Sequence, residues 1–423
     1  MRDVIALIMA GGRGERLCPL TKDRSKPAVP FGGIYRIIDV TLSNCINSNI
    51  YKIIVLPQYK AQSLVEHIEA GWNIFSYALG HYLKIVPPQM RTGNQWYRGT
   101  ADSVRQNIYL IERDTSENDH VLVLSGDHIY KMDYSHLKTY HQERDADITV
   151  SVIEVPISEA HRFGVLEVAE DYRITGFQEK PRSAMPIPGD PDRALASMGI
   201  YMFKVPVLVD ILKASDKDDF GRDIIPEAIK RYSLHAFPYK KENRIEDFVY
   251  TVKEDGSRVR VLNPCIQDSS YWRDVGDLDA YWNANMDLTG VEPAFNLYGA
   301  KWPLRTFQAQ YPPVKTVFKN TDADRIGMAL DSIVSHGTII SGGVVKNSVL
   351  SYNVMVRSYS EVRESVIMSH VEIGRYCRIM KAIIDKKNII PPNTEIGYDP
   401  EEDRKRFTVT PRGIVVVAKG TFK

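Results

Sequence analysis

Short apolar runs alternate with segments of helical spacing through the first half of the chain. Four runs are compact or rich in β-branched residues, as expected of buried strands: Val4–Met9, Lys52–Leu56, Val121–Leu124 and Asp147–Val155. Four segments between them have helical character: Asp39–Ser48, Ala61–Ala70, Ala101–Glu112 and Tyr134–Arg144. Strands that alternate with helices predict an α/β fold with a mostly parallel sheet and helices on both faces.

Two loops follow directly after predicted strands. Ala10–Arg16 comes after the first strand, and Ser125–His128 comes after Val121–Leu124. In an open α/β sheet, ligands bind beyond the carboxyl ends of the strands. We therefore expect both loops to border a binding site.

The pattern changes near Gly290. A stretch without clear periodicity predicts a connector over 291–313, and it contains the prolines Pro293, Pro303, Pro312 and Pro313. Beyond it, apolar residues recur in steps of six, with one interruption: Val344, Leu350, Val356, Val362, Ile373 and Ile379. This period is typical of hexapeptide coils in a parallel β-helix. An ordinary antiparallel β domain is the alternative.

Length, charge and cysteine content narrow the classes of protein to which the chain can belong. A chain of 423 residues is long for one core and predicts two domains. The 54 basic and 53 acidic residues give a net charge of +1, so no overall field attracts nucleic acid or an anionic membrane. No apolar stretch reaches the roughly 18 residues of a membrane helix. The four cysteines form no C-x-x-C pair, so we expect buried, reduced thiols and a cytoplasmic protein.

The loop after the first strand is rich in glycine. Residues 10–16 read Ala-Gly-Gly-Arg-Gly-Glu-Arg, and consecutive glycines let the backbone approach a polyphosphate closely. Leu17 stands where a Rossmann fingerprint has its third glycine, and no Walker A ending follows. Local positive charge also suits a triphosphate, although it could be a solvated surface. The basic residues concerned are Arg13, Arg16, Lys22, Arg24 and Lys26.

Several motifs extend, in order, over essentially the whole chain. They are Gly11–Arg16, Lys26–Val29, Arg36–Asp39, Leu42–Ser48, Trp96–Asp102, Ser125–Tyr130, Glu179–Pro181, Ala196–Tyr201 and Tyr271–Gly276. The glycine loop with its Lys-Pro segment resembles the sugar-nucleotide pyrophosphorylases, and the other motifs resemble their glucose-1-phosphate adenylyltransferase branch. The resemblance implies a Rossmann-like nucleotidyltransferase domain over 1–290. It also implies a left-handed parallel β-helix over 314–423 that serves regulation and oligomerisation.

The reaction that the resemblance implies joins ATP and α-D-glucose 1-phosphate into ADP-glucose and diphosphate, for glycogen or starch synthesis. Such a transfer needs positioning, cations for the phosphates and carboxylates for Mg²⁺. By resemblance, Asp127 and Asp274 hold Mg²⁺, and Asp127 is the principal catalytic carboxylate. Arg16 and Lys26 contact the triphosphate and the departing diphosphate. We expect His128 to pack or to hydrogen-bond, because the sugar phosphate is anionic near pH 7 and needs no base.

The same resemblance assigns two substrate pockets. The residues expected to bind ATP are Gly11, Gly12, Arg13, Gly14, Arg16, Lys26, Tyr97 and Gly99, and adenine selection is placed in Gly11–Gly12 and Gln95–Thr100. Those expected to bind glucose 1-phosphate are Tyr97, Gly164, Glu179, Lys180, Ser197, Tyr201, Asp219 and Trp272. Without the resemblance, Glu179 and Lys180 would more often be a surface ion pair, and Asp127 could cap a helix.

Relatives of this type are usually homotetramers controlled by metabolites. By resemblance, Arg24 and Arg36 are candidate contacts for an effector phosphate. Asp23 departs from the family pattern, which often has a basic residue there. Because an aspartate repels phosphate, we expect a weak response to a sugar bisphosphate, or a different activating metabolite.

Three alternatives stay open. A UDP-, dTDP- or GDP-sugar pyrophosphorylase would share the fold and the mechanism. A regulatory subunit without activity would have lost the loop cations that this chain keeps. A β-helix acyltransferase would turn over acyl-CoA without releasing diphosphate, with His336 or His370 as its catalytic histidine.

Overall fold

A nine-stranded sheet forms the centre of the N-terminal part of the chain. The computed structural model describes residues 1–89, 96–320 and 325–423. The strands are β1 Val4–Ala10, β2 Lys52–Pro57, β3 Tyr82–Ile85, β4 His120–Ser125, β5 Ile148–Pro156, β6 Gly164–Val168, β7 Ile174–Glu179, β8 Arg193–Lys204 and β9 Leu234–Pro238. The four strands predicted from the sequence are confirmed to within about one residue at each end, the usual uncertainty of such boundaries.

The sheet is parallel where it carries the glycine loop. β1 lies between β2 and β4 and runs parallel to both, and β3 continues this order beyond β2. On the other side, the long strand β8 runs antiparallel to β4, β5 and β6. β7 pairs antiparallel with β6, and β9 pairs parallel with β5. The predicted α/β sheet is therefore confirmed, and it has an antiparallel extension that the sequence pattern did not predict.

Alternation along β1 accounts for burial on both faces of the sheet. Val4, Ala6, Ile8 and Ala10 pack into one hydrophobic cluster, whereas Ile5 and Leu7 pack into the cluster on the opposite face. Successive side chains of a strand point to opposite faces. An apolar run without polar interruption therefore needs helices on both sides.

Helices cover the sheet and border its carboxyl edge. They are Ile37–Asn47, Gln62–Gly71, Thr100–Arg105, Ile108–Asp114, Tyr134–Glu143, Val205–Ala214, Ile225–Ala228, Tyr239–Glu242 and Leu278–Met286, with a π-helical turn at Phe220–Ile224. Short 3-10 turns occur at Glu15–Leu17, Lys26–Ala28, Tyr77–Leu79, Ile157–Arg162 and Gln267–Ser270.

The single helix predicted over Ala101–Glu112 is wrong. The chain forms two helices there, because it breaks at Gln106–Asn107. Asn107 Nδ2 donates to Ser103 O at 2.8 Å and to the Tyr97 hydroxyl at 2.9 Å. The break thus holds the loop that precedes the first of the two helices.

Short antiparallel pairs lie outside the main sheet. They are Pro30–Phe31 with Tyr35–Arg36, His128–Tyr130 with Trp272–Asp274, Asp247–Val252 with Arg258–Asn263, and Lys319–Asn320 with Arg325–Ile326. The second pair positions the two candidate metal ligands.

The C-terminal part is a parallel β-helix with three sheets. The first sheet contains Lys315–Val317, Ile339–Ser341, Met355–Val356, Glu372–Ile373 and Ile389–Ile390. The second contains Met328–Leu330, Val344–Lys346, Glu361–Arg363, Arg378–Met380 and Glu395–Ile396. The third contains Ile333–Val334, Val349–Leu350, Val366–Ile367, Ala382–Ile384, Val415–Val417 and the antiparallel Thr408–Val409. The helix Pro400–Arg406 comes directly before the strand Thr408–Val409. The predicted β-helix is confirmed, and an ordinary antiparallel β domain is excluded.

Each regular coil contains 17 residues, since Val345 pairs with Val362 and Val362 pairs with Ile379. The inward positions advance by five, six and six residues: Val345, Leu350, Val356, Val362, Ile367, Ile373 and Ile379. The prediction that Val344 belongs to this column is wrong, because Val344 is only partly buried and Val345 is enclosed. A strict period of six fails because one side of each coil is a residue shorter.

The segment between Met286 and Lys315 contains no helix or strand, and all of it is described. The connector predicted over 291–313 lies within it, and the exact domain boundaries stay a prediction. One hydrophobic cluster joins Leu20 and Phe31 to Met368 and Ile383 of the β-helix. The two parts of the chain therefore share a core.

The cysteines are free, and two of them contradict the expectation of burial. Cys45 and Cys377 are buried, but Cys18 and Cys265 are exposed. Cys18 lies in the loop after Glu15–Leu17, and Cys265 follows the strand Arg258–Asn263. Within the described ranges, no helix is long and apolar enough to cross a membrane.

Candidate active site

The glycine loop lies over the carboxyl end of β1. Gly14 has a φ of 64°, in the left-handed region that glycine adopts without strain. A Cβ atom there would lie 3.0 Å from Lys26 Cβ, so the close packing of the loop on Lys26 favours glycine. Gly11, Gly12 and Arg13 border a cavity of about 460 Å³, a volume typical of small-molecule sites.

Pairing between two distant short strands brings the candidate metal ligands together. His128–Tyr130 pairs with Trp272–Asp274, and Asp274 lies opposite His128. Lys26 Nζ lies 2.8 Å from Asp127 Oδ2 and 3.1 Å from Asp274 Oδ1, so both carboxylates face one cation. Asp127 is followed by a strand, which excludes the helix-capping role.

Burial and charge act in opposite directions on the pKa values of this group. Burial raises the pKa of Asp127, but the charge of Lys26, with a contribution from His128, holds it well below its usual range. The Ser125 hydroxyl also donates to Asp127 Oδ1. Burial lowers the pKa of Lys26, whereas Asp127 and Asp274 raise it, and the net shift is upward. At neutral pH both Lys26 and Asp127 are therefore charged.

His128 packs between the carboxylates and an aromatic ring. Its Nε2 lies 3.7 Å from Asp127 Oδ1 and 3.7 Å from Asp274 Oδ1. Its ring meets Trp272 edge-on, with the ring centroids 5.2 Å apart. This placement agrees with the packing role expected from the sequence.

The segment around Tyr97 forms one wall of the cavity beside the glycine loop. The Tyr97 hydroxyl donates to Val86 O at 3.0 Å, and Gln58 Nε2 donates to Tyr97 O at 2.9 Å. Gly99 packs so closely on the Asp218 carbonyl that a Cβ atom would clash. Gln95, named above for adenine selection, lies outside the described residues.

Two of the predicted sugar-binding residues, Tyr97 and Asp219, line the cavity, and most of the others lie on or next to β6, β7 and β8, outside its lining. Lys180 Nζ lies 2.9 Å from Glu179 Oε1, and a Cβ atom on Gly164 would lie 2.9 Å from Glu179 Oε2. Ser197 Oγ lies 3.4 Å from Tyr201 Oη, where the register of β8 shifts.

Two further predicted residues complete the surroundings. Asp219 borders the cavity beside the glycine loop. Trp272 Nε1 is buried without a hydrogen-bond partner among the described residues, and it is therefore free to bond a ligand. Arg16 and Asp274 both approach Gly276, since a Cβ atom there would meet both side chains at about 3 Å.

Sequence reasoning missed Gln58, which lines the cavity. It also gave no role to Ser125, although it placed this residue in a candidate loop. Gln58 follows the end of β2 and Ser125 ends β4. The rule that ligands bind at the carboxyl ends of parallel strands could have identified both.

Known proteins share this architecture. A family model described as "Nucleotidyl transferase" matches residues 5–290, and one described as "GlmU-like, C-terminal hexapeptide" matches residues 312–417. A glucose-1-phosphate adenylyltransferase of Rhodopirellula baltica is 48% identical over 99% of this chain and 91% of its own length. Proteins of the same name from Koribacter versatilis and Methylococcus capsulatus are 47% and 49% identical over 99% and 98% of this chain, and over 96% and 93% of their own lengths. The chain belongs to the glucose-1-phosphate adenylyltransferase family.

Membership of the glucose-1-phosphate adenylyltransferase family makes the protein a nucleotidyltransferase. It also confirms the predicted fold class, a Rossmann-like domain followed by a left-handed parallel β-helix. The acyltransferase alternative is therefore set aside. His370, one of the two histidines on which it depended, is held by Tyr311 and Asn353 on the β-helix.

The two aspartates of this family member fit a divalent cation. Lys26 Nζ contacts both carboxylates, so their oxygens converge on one position. Mg²⁺ is usually bound by one or two carboxylates together with substrate phosphates. In the described part of the chain, no group of three His, Cys, Asp or Glu residues could hold a metal without a substrate.

The first candidate effector residue is committed to a buried ion pair. Arg24 Nη2 lies 2.9 Å from both carboxylate oxygens of Asp385 in the β-helix. The second candidate, Arg36, donates to Ser63 O. Arg24 therefore lies at the junction between the two parts of the chain, and Arg36 is close enough to Lys386 of the β-helix for its charge to act there.

Two lysines, which sequence reasoning missed, lie near the two arginines. Burial, together with the charges of Arg36 and Arg24, lowers the pKa of Lys386 to about 7. Lys419 Nζ lies 3.5 Å from Asp23 Oδ2. Asp23 is thus compensated by a cation from the β-helix.

Proposed function

We propose that the protein transfers the AMP part of ATP to α-D-glucose 1-phosphate and releases diphosphate, which supplies ADP-glucose for glycogen or starch synthesis. The observation that carries the proposal is the convergence of Asp127, Asp274 and Lys26 beside the glycine-loop cavity. The three relatives described above support the choice of substrates, since each is named a glucose-1-phosphate adenylyltransferase.

In the proposed reaction, a phosphate oxygen of glucose 1-phosphate attacks the α-phosphorus of ATP, and the bond from this phosphorus to the diphosphate oxygen breaks. The attacking oxygen is anionic near neutral pH, so no residue has to remove a proton. Asp127 and Asp274 would hold Mg²⁺, which neutralises charge and orients the two phosphates when bound. Lys26 and Arg16 stabilise the departing diphosphate.

The remaining site residues bind and orient the substrates. Arg13 and the N–H groups of the glycine loop, from Gly11, Gly12 and Gly14, cradle the triphosphate, and Tyr97 and Gly99 enclose the nucleotide. Lys180 binds the sugar phosphate, and Glu179 and Ser197 bond the sugar hydroxyls. The sugar is enclosed by Tyr97, Gly164, Tyr201, Asp219 and Trp272.

Diphosphate release with each nucleoside triphosphate, in the presence of glucose 1-phosphate and Mg²⁺, tests the proposal. We expect release with ATP, and a fall of about 10³-fold in kcat for Asp127→Asn. Asp145→Asn, at an exposed aspartate paired with Lys204, should stay within about twofold of the wild type. Release mainly with UTP, dTTP or GTP would identify a different sugar-nucleotide enzyme. No release with any of them would favour the regulatory-subunit alternative.

We further propose that the protein is a cytoplasmic homotetramer under metabolite control. Arg36 contacts an effector phosphate, and Arg24 contributes charge from its buried position. Because Asp23 repels phosphate and also draws Lys419 into an ion pair, the response to fructose 1,6-bisphosphate should be weak. Strong activation by this compound at low concentration would contradict the role given to Asp23, and light scattering tests the tetramer.

A further inference from the structure

One hydroxyl lies on the wall of the cavity beside the glycine loop, here called the nucleotide cavity. The same hydroxyl also contacts the sugar side of the site. Thr100 is the first residue of the helix Thr100–Arg105 and borders the cavity. Its Oγ1 donates to Asp219 Oδ2 at 3.2 Å and accepts from Phe220 N at 3.0 Å. The hydroxyl thus holds the two residues at which the π-helical turn Phe220–Ile224 begins.

Backbone contacts reinforce this junction. Asp218 O accepts hydrogen bonds from Ala101 N at 2.8 Å and from Asp102 N at 3.2 Å. The first N–H groups of a helix have no partner within the helix, and here the segment before the π-helical turn supplies one. Gly99 packs on the same carbonyl. The start of the helix Thr100–Arg105 and the π-helical turn are therefore joined at several points.

The π-helical turn also contacts the carboxylate that we assign to the sugar hydroxyls. A Cβ atom on Gly221 would lie 3.2 Å from Glu179 Oε2 and 3.6 Å from Asp219 Oδ1. π-helical turns are rare and often occur at functional sites. Contacts thus run from the nucleotide cavity through Thr100 and Asp219 to Glu179.

We infer that Thr100 is a positioning residue that couples occupancy of the nucleotide cavity to the geometry of the sugar pocket. It acts through Asp219 and Phe220 and does not touch the reacting atoms. The inference rests on the proposed function and adds to it the residue that links its two substrate pockets.

Replacement of the hydroxyl isolates this role. Thr100→Val keeps the shape of the side chain but leaves Phe220 N without its acceptor and removes the donor to Asp219 Oδ2, while Arg222 N still donates to Asp219 Oδ1. Thr100→Ser keeps the hydroxyl. Thr115→Val is a matched control, because Thr115 Oγ1 donates to Ile111 O at 2.7 Å on the next helix, away from the cavity.

Steady-state kinetics give the first readout. For Thr100→Val we expect the KM for glucose 1-phosphate at saturating ATP to rise about tenfold, as for one lost hydrogen bond, while the KM for ATP, measured at glucose 1-phosphate far below its own KM, stays within about twofold. Thr100→Ser and Thr115→Val should resemble the wild type. An equal rise in both KM values, or a serine variant as impaired as the valine variant, would overturn the inference.

Calorimetry gives a second readout that needs no turnover. The Kd of glucose 1-phosphate is measured with and without α,β-methylene-ATP and Mg²⁺. In the wild type we expect the analogue to tighten sugar binding about fivefold or more, and in Thr100→Val we expect this ratio to approach one. An unchanged ratio would contradict the inference.

The two failures can be told apart. A wild type that releases no diphosphate would refute the proposed function, whereas the binding ratio would still test the coupling. If Thr100→Val does not melt cooperatively, Thr100→Ala removes the same hydroxyl with less crowding, and the same two outcomes are expected.

Discussion

Asp127 can bind a metal only while it is ionised, and the charge of Lys26 favours that state. Two carboxylates at one site oppose each other's ionisation. Lys26 Nζ, within 3.1 Å of both, offsets this repulsion. The Asp127 carboxylate therefore stays charged without a bound ion, and under the proposed function a divalent ion would take the place of the Lys26 ammonium.

Lys180 allows a prediction about the sugar phosphate. Its side chain is 63% exposed, and its ion pair with Glu179 contributes little to stability. We expect Lys180→Gln to raise the KM for glucose 1-phosphate roughly 10²-fold, because the sugar phosphate loses its cation, and to leave the KM for ATP within about twofold. Lys253→Gln, on the exposed turn of the hairpin 247–263, is the control. An equal rise of both KM values would argue against the assignment.

His141 allows a prediction about pH. Burial, with a smaller effect of His120, lowers the pKa of His141 to about 3, against an ordinary value of about 6.5. Between these two values the unfolded chain binds a proton that the native chain does not, so the free energy of unfolding falls as the pH falls. The fall due to His141 between pH 7.5 and pH 5.5 should be about 1.4 kcal/mol.

Urea denaturation of the full chain at the two pH values measures this fall. His141→Gln should lose less stability than the wild type over the same interval. His161→Gln, at an exposed histidine, should keep the dependence of the wild type. The same dependence in all three proteins would show that His141 takes up its proton over the same pH range in the native and the unfolded chain.

At the scale of elements, the pattern of apolar and polar residues predicted those strands whose burial it determines. The buried strands β1, β2, β4 and β5 are apolar runs, and these were found. β7 is exposed or half-buried along most of its length, so its composition did not distinguish it from a loop. The pairing of His128–Tyr130 with Trp272–Asp274 joins distant segments, and no periodicity encodes it. The motifs therefore named Asp127, Asp274 and Lys26, but they did not predict that Lys26 lies between the two carboxylates.

The β-helix offers a matched pair of variants. The hydrophobic period predicted its existence but not its phase, because the five-residue side of each coil shifts the inward column from Val344 to Val345. We expect Val345→Ala to lower the free energy of unfolding by about 2 kcal/mol through the cavity it leaves. Val344→Ala should cost less than half as much. Urea denaturation of the full chain compares them, and equal losses would place both side chains inside.

At the scale of the whole molecule, one buried ion pair connects the β-helix to the segment that contains Lys26. The Arg24 and Asp385 side chains are 7% and 2% exposed, and Arg24 lies two positions before Lys26. The sequence could not reveal this contact, because the partners are 361 residues apart. The two effector candidates and Lys26 lie on one short segment of the sequence, so a change at the junction can reach Lys26 through the backbone.

A buried ion pair of this kind is costly to break from one side, since the remaining charge is left without a partner. We expect Asp385→Asn to destabilise the junction by about 3–5 kcal/mol. Calorimetry should then resolve two unfolding transitions where the wild type has one. The double variant Arg24→Met/Asp385→Leu should recover most of the loss, because well-packed apolar residues can replace a buried pair.

The exposed pair of Arg193 and Glu154, joined at 2.9 Å, is the control, and Glu154→Gln should change stability little.

Activity separates the two consequences of the Arg24–Asp385 contact. If the pair only holds the domains together, the double variant recovers kcat along with stability. If its charge also positions Lys26, the double variant recovers stability but keeps a lowered kcat. A loss of stability no larger for Asp385→Asn than for Glu154→Gln would mean that the hydrophobic cluster alone joins the β-helix to the catalytic sheet.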